Sequence, residues 1–124
     1  MESNFAYPIG RFEMPASVDA AARAGYVSAI EAAPRKLREA VAGLGARQLD
    51  TPYRTNGWTV RQVVHHLPDS HLNAYVRFRL ALTEESPTIC TYEEARWAEL
   101  PDAKTADVEM SLKLFEGIHA RWLA

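Results

Sequence analysis

The stretch from Thr59 to about Glu84 constrains the fold of this chain more than any other part of its 124 residues. Thr59 and Gln62 have the spacing of a capping box, which begins many helices. The apolar residues that follow recur at the helical spacing of about 3.6 residues. They are Val63, Val64, Leu67, Ala74, Tyr75, Phe78 and Leu82. The pattern predicts a long amphipathic helix, and Pro68 within it predicts a bend just after His66.

A second helix is predicted nearer the N-terminus. Ser17 is the expected N-cap, with Asp19 in the first turn, and the helix is expected to run to Leu44. Pro34 lies inside it and should kink or split it. Residues 1–16 contain prolines and show no sustained period, so they are predicted to form an extended arm that packs its aromatic rings on a neighbouring surface. Those rings are Phe5, Tyr7 and Phe12.

The remaining segments are a turn, a crossover and a third helix. Residues 48–57 are turn-like. Residues 86–104 are predicted to be a long crossover with a turn of helix at Tyr92–Leu100. Asp107 is expected to cap a third helix that reaches Ala124 without a stop signal.

Composition narrows the class of protein. A chain of 13.9 kDa with 48% hydrophobic and 24% charged residues is typical of one soluble globular domain, here residues 1–124. The net charge of -2, without a basic patch, argues against a nucleic-acid partner. No apolar run approaches the ~18 residues of a membrane span, so no membrane association is expected. Cys90 is the single cysteine, which excludes an internal disulfide and is typical of a reducing cytoplasm.

Four histidines are the first candidates for chemistry. His65, His66 and His71 share the predicted central helix at offsets of one, five and six. Two ligands on one helix that aim at a common point need a spacing of three or four, so this helix does not form a metal site alone. His71 falls on the apolar face and is expected to bond a carbonyl group, whereas His65 is expected to be exposed. His119 is remote in sequence.

A polar stripe lies opposite the apolar face of the same helix. Its members are Gln62, His66, Asp69, Asn73 and Arg77. One interpretation is a solvated face. The other is a site with one histidine ligand, in which Asp69 or Asn73 orients that ligand or contacts the substrate. No nucleophile elbow, phosphate loop or C-x-x-C motif accompanies the stripe.

The run TPYRTNGWTVRQVVHHLPDSHLNAYVRFRLALTEE at Thr51–Glu85 resembles the YfiT-like branch of the DinB superfamily of metal-dependent hydrolases. The resemblance extends to YPIG at Tyr7–Gly10, to TYEEARWAEL at Thr91–Leu100 and to HARW at His119–Trp122. It implies an all-α, up-down helix bundle with a long crossover. It also implies a cytoplasmic homodimer. Some relatives, those that resemble bacillithiol transferases, are thiol S-transferases.

The resemblance also implies a metal centre. The family binds a divalent metal, zinc or nickel, through three histidines, and the one directly before the Leu of the HHL motif is His66 here. The other two belong to an H-x-x-x-H motif on a fourth helix, and this sequence contains no such motif. Three of the four family helices are therefore expected, in a chain that is C-terminally truncated. Pro68, directly after the motif, is a second departure from the family pattern.

Three functions follow from these observations. The first is a metal-dependent hydrolase or thiol S-transferase that acts on a small molecule, with His66 as the retained ligand. The second is a non-catalytic helical dimerisation module that has lost the metal site. The third is a dimer in which two copies of His66, or His66 and His119, rebuild a metal site across the interface. Because three helices of a four-helix bundle leave an apolar groove, a dimer or larger assembly is expected in every case.

Overall fold

The structure, a computed structural model, describes residues 4–124. Six helices follow one another along this part of the chain. They are α1 (Ala20–Val41), α2 (Ala46–Leu49), α3 (Val60–Thr83), α4 (Glu94–Ala98), α5 (Pro101–Thr105) and α6 (Val108–Leu123). The described residues contain no β-strand beyond an isolated bridge between Pro52 and Thr59. None of these helices is both long and apolar enough to cross a lipid bilayer.

Helix α6 is the centre of the bundle, because it packs against both α3 and α1. The short helices α4 and α5 of the crossover pack on α3. The apolar core lies mainly along α6 and the facing side of α3. Its most buried side chains include Val64, Leu112, Phe115 and Ile118. The predicted all-α bundle with a long crossover is confirmed.

Local capping signals set where α3 and α6 begin. The Gln62 amide donates to Thr59 Oγ1 at 3.1 Å, and the Thr59 amide donates to Gln62 Oε1 at 2.9 Å. This reciprocal pair is the predicted capping box. The predicted cap of α6 is also confirmed, because the Glu109 amide donates to Asp107 Oδ1 at 2.9 Å.

The first helix differs from its prediction at both ends. Its N-cap is Asp19 and not Ser17, because Asp19 Oδ1 accepts a hydrogen bond from the Ala22 amide at 2.7 Å. It ends at Val41 rather than Leu44, and Gly43 follows with a φ of 77°. That left-handed backbone conformation favours glycine and stops the helix.

Helix α1 is continuous through Pro34, so of the predicted kink or split the split is wrong, and the kink stays a prediction. Proline has no amide hydrogen, and the carbonyl of Ile30, four residues earlier, therefore lacks its helical donor. His119 of α6 supplies the replacement, with its Nδ1 2.6 Å from the Ile30 oxygen. Helix α3 is likewise continuous through Pro68, which is buried.

Two short helices were not predicted as the structure has them. The turn of helix expected at Tyr92–Leu100 is present as α4, whereas α5 was not predicted. Pro101 begins α5 at a position where its missing amide hydrogen has no cost. Helix α2 overlaps the start of the predicted turn at 48–57. Gly45 precedes it, and the Gly45 amide donates to Gln48 Oε1 at 2.9 Å.

The N-terminal arm has no helix between residue 4 and the start of α1. Phe5 and Pro8 line a cavity of about 390 Å³ together with Trp58 and Val63. Phe5 is nevertheless 56% exposed, Tyr7 43% and Phe12 81%, so the predicted packing of these three rings is not confirmed. Residues 1–3 of the predicted arm lie outside the described residues.

Candidate metal and ligand site on helix α3

His66 lies in the second turn of α3, at the wall of a cavity of about 310 Å³. The cavity is formed between α3 and the segment of the crossover that leads into α4. Its lining residues are His66, Ser70, Arg77, Thr91, Tyr92 and Glu94. Outside the cavity, the ring of Trp58 lies 5.0 Å from the His66 ring, centroid to centroid, at an angle of 60°. The His66 ring thus packs against a tryptophan and also lines the cavity.

The polar stripe of α3 is not a solvated face, and that interpretation is wrong. None of its five residues is exposed. Gln62 is only 6% exposed because its Nε2 donates to the carbonyl of Ala98 at 2.7 Å, which brings the end of α4 over it. Asn73 Nδ2 donates to the Asp69 carbonyl at 2.7 Å, so this amide is held by its own helix.

Burial controls the protonation of the groups around His66. It lowers the pKa of His66 below the ordinary value of 6.5, although the nearby carboxylates of Asp69 and Glu94 act in the opposite direction. Burial also raises the pKa of Asp69 above 3.8, with a further increase from the charge of Asp102. His66 is therefore a neutral imidazole near pH 7, and a neutral ring has a nitrogen lone pair that can bind a metal ion.

Arg77 and Tyr92 also line the cavity. Arg77 Nη2 donates to the carbonyl of Cys90 at 2.9 Å and so ties the crossover to α3. Arg77 Nε and the Tyr92 hydroxyl are buried and have no hydrogen-bond partner among the described residues. Burial raises the pKa of Tyr92, while the adjacent Ser70 side chain, which falls short of a hydrogen bond to it, acts to lower that pKa.

His65 is buried, contrary to the prediction that it is exposed. Only 7% of it is accessible, and both ring nitrogens have partners. Its Nε2 lies 3.0 Å from the carbonyl of Ala106, which only accepts, so Nε2 carries the proton. Its Nδ1 then accepts from the Ser111 hydroxyl at 2.6 Å. His65 therefore joins α3 to the start of α6 and is not available as a ligand.

His71 and His119 form a buried pair. The ring of His119 is 1% exposed, and its Nδ1 donates to the Ile30 carbonyl. In the neutral ring, His119 Nε2 is then an acceptor, and His71 Nδ1 donates to it at 2.7 Å. The partner of His71 is thus a histidine and not the expected carbonyl. Because His119 is buried with both nitrogens in use, it does not reach a second chain, which removes the predicted pairing of His66 with His119 across an interface.

No complete metal-binding group exists within residues 4–124. Nowhere in this part of the chain do three or more His, Cys, Asp or Glu side chains come together as they would around a metal ion. His66 faces its cavity without another histidine, since the others take part in separate hydrogen-bonded contacts.

Comparison with known proteins decides the family. Residues 29–124 match the DinB superfamily. The protein of Bacillus subtilis named "Putative metal-dependent hydrolase YfiT" is 50% identical over 121 residues, which are 98% of this chain and 68% of that protein. A Bacillus licheniformis protein described in the same words is 52% identical over 118 residues, 95% of this chain and 67% of that one. The chain belongs to the DinB superfamily.

A solved structure also matches the fold. YfiT from Bacillus subtilis, described as "a probable metal-dependent hydrolase with an unusual four-helix bundle topology", superposes with a TM-score of 0.93 at 50% identity. The match covers 97% of this chain and 69% of YfiT. This chain thus spans about two thirds of the length of its DinB relatives. The predicted C-terminal truncation is not borne out by these matches.

The lowered pKa values of two histidines predict a loss of stability in acid. Burial lowers the pKa of both His66 and His71 in the folded state, so the unfolded chain binds more protons around and below pH 6.5. The free energy of unfolding should therefore fall as the pH drops from about 7.5 to about 5.5, in urea titrations with a chelator present. The raised pKa of Asp69 has the opposite effect on the free energy of unfolding, but only between pH 3.8 and the pKa of Asp69 in the folded state. His66→Gln should flatten the slope, and a slope of zero in the unmodified chain would contradict the prediction.

Proposed function

We propose that this DinB chain belongs to a metal-dependent hydrolase or thiol S-transferase, in which His66 binds a divalent zinc or nickel ion. The observation that carries the proposal is the neutral imidazole of His66 at the wall of a 310 Å³ cavity. Imidazole nitrogen suits both metals. Membership of a superfamily whose relatives carry the name of metal-dependent hydrolases supports the same function.

The residues present fit one ligand of such a centre and not the whole of it. A catalytic zinc site has three protein ligands and an open fourth position, and within residues 4–124 His66 stands without two others. The remaining ligands must come from outside these residues, either from a further segment or from a second chain. When bound, the ion would lower the pKa of a water molecule or a thiol and so supply the nucleophile.

The chain's own residues orient the ligand and shape the site. The ring of Trp58 packs against the His66 ring, with centroids 5.0 Å apart. The cavity that His66 lines is large enough for a small-molecule substrate, the class that we propose. Its wall is closed by the crossover, which the bond from Arg77 to the Cys90 carbonyl holds against α3.

We further propose that the protein is a cytoplasmic homodimer. Leu72, Val76 and Leu114 on α3 and α6 are 40%, 47% and 47% exposed. Leu72 and Leu114 border a groove of about 330 Å³ between the two helices, and a second copy would cover it. The exposed free thiol of Cys90 suits a reducing compartment.

Metal content tests the proposed function. Untagged protein purified without chelator should contain zinc or nickel in near-stoichiometric amounts by plasma mass spectrometry, and His66→Ala should lose it. Light scattering on the same preparation gives the number of chains per particle, and therefore whether each chain or each dimer holds one ion.

His65→Asn is the matched control. It removes the neighbouring imidazole, whose two nitrogens are already engaged, so metal content should not change in protein that circular dichroism shows to be folded. If the unmodified protein holds no metal after reconstitution, the proposed function is wrong. The chain would then be the non-catalytic helical module, which the lack of a three-ligand group among the described residues favours.

A further inference from the structure

The cavity beside His66 contains two buried hydrogen-bond donors without partners. They are Arg77 Nε and the Tyr92 hydroxyl, one from α3 and one from the crossover. Buried polar groups in folded proteins are almost always hydrogen-bonded, because a group that loses its water and gains no other partner costs free energy. The two residues that carry these atoms line one cavity, so a molecule bound there is the partner that a small rotation of either side chain would give them.

The charge of these groups defines the molecule. The Arg77 guanidinium is always charged, and its one hydrogen bond goes to a neutral carbonyl, that of Cys90. No carboxylate among the described residues forms an ion pair with it. Tyr92 keeps its proton because burial raises its pKa, so it also donates. A positive charge and a second donor together favour an anion.

We propose that Arg77 and Tyr92 form a subsite for a carboxylate group of a small molecule. The planar guanidinium matches a carboxylate, which accepts two hydrogen bonds side by side. Glu94 also lines the cavity, and its negative charge disfavours a compact ion of high charge such as phosphate. The site therefore suits a molecule that presents one carboxylate to Arg77 and is otherwise neutral or positive. The inference rests on the proposed function only where it calls this molecule a substrate.

Binding of a simple carboxylate to the metal-free chain tests the subsite. N-acetylglycine is the probe, and its uncharged amide, N-acetylglycinamide, has nearly the same size. In nuclear magnetic resonance titrations with a chelator present, the Nε–H signal of Arg77 should shift and saturate with N-acetylglycine. It should not respond to the amide, and phosphate should bind more weakly than N-acetylglycine.

Three variants assign the binding to the two donors. Tyr92→Phe removes one hydroxyl with little change of shape and should weaken N-acetylglycine about 3- to 10-fold. Arg77→Gln should weaken the binding of N-acetylglycine about tenfold or more. Because this variant lacks the Arg77 signal, its binding is measured from the signals of neighbouring residues. Arg79→Gln is the matched control, because Arg79 is an exposed arginine of the same helix that stacks on Tyr75. It should leave the affinity unchanged.

The outcomes separate this inference from the proposed function. The subsite is refuted if the Arg77 signal does not saturate, if the amide binds equally well, or if Tyr92→Phe and Arg77→Gln both bind like the unmodified chain. Arg77→Gln also removes the hydrogen bond to the Cys90 carbonyl. If the loss of this bond disturbs the crossover, the result with Tyr92→Phe decides between the outcomes. His66→Ala should abolish metal binding and retain N-acetylglycine. Metal without carboxylate binding refutes the subsite alone, and carboxylate binding without metal refutes the proposed function alone.

Discussion

Replacing His119 by alanine is expected to lower the free energy of unfolding by about 3–5 kcal/mol. The side chain is 1% exposed, and its ring packs against Phe115 with centroids 4.2 Å apart. The substitution would leave a cavity, an unpaired carbonyl at Ile30 and an unpaired donor on His71. Urea denaturation followed by circular dichroism measures the change.

A double-mutant cycle shows how much of this cost belongs to the Ile30 carbonyl. His119→Phe keeps most of the volume and removes the hydrogen bonds, for an expected loss of about 2 kcal/mol. Pro34→Ala restores the amide hydrogen that the Ile30 carbonyl lacks. In that background, His119→Phe should therefore cost about 1 kcal/mol less.

The control for the cycle is His65→Phe, which removes a buried histidine that bonds α6 and not α1. Its effect should add to that of Pro34→Ala within about 0.5 kcal/mol. If the effects of Pro34→Ala and His119→Phe are also additive, the bond to the Ile30 carbonyl contributes nothing measurable to stability.

Replacing Arg61 by alanine is expected to lower the free energy of unfolding by about 2–4 kcal/mol. Arg61 is 8% exposed, its Nε donates to Asp50 Oδ1 at 2.7 Å, and its Nη1 donates to the Ala106 carbonyl at 2.9 Å. It thus joins α3 to the end of α2 and to the start of α6. The Ala106 carbonyl keeps its bond from His65, and Asp50 is half-exposed to water, so the lower half of the range is expected.

Arg61→Lys separates charge from geometry. Lysine keeps the positive charge but lacks the planar fork that bonds a carboxylate and a carbonyl together, so an intermediate loss is expected. Urea titrations of both variants at one pH measure the difference. An Arg61→Ala protein within about 0.5 kcal/mol of the unmodified chain would show that this buried network does not stabilise the fold.

The elements that sequence predicted best are those with local signals. The capping box at Thr59 and the cap at Asp107 involve residues two or three positions apart, and both helices begin where these predict. The burial of His65 had no local signal, because its partners Ser111 and Ala106 lie more than forty residues away. Long-range pairs of this kind arise only from the packing of the helices.

The residues of the candidate site were likewise predicted where they share one helix and missed where they lie on another segment. Helical spacing put His66 and Arg77 on one stripe of α3, and both line the cavity. Tyr92 was missed, because it lies in the crossover and nothing in the neighbouring sequence indicates that its hydroxyl turns towards α3. The choice of His66 as a ligand came from the family resemblance and not from its spacing, and it stays a prediction.

The proline of α1 has a consequence for how the helices are aligned. Apolar contacts are non-directional, so two helices can slide along each other by a turn at modest cost. Pro34 leaves one carbonyl in the middle of α1 without a helical donor, and His119 is the donor that meets it. A shift of either helix along its axis would separate the two and leave the Ile30 carbonyl and the buried His119 ring without this hydrogen bond. The missing helical hydrogen bond at Pro34 thus fixes the position of α6 along α1.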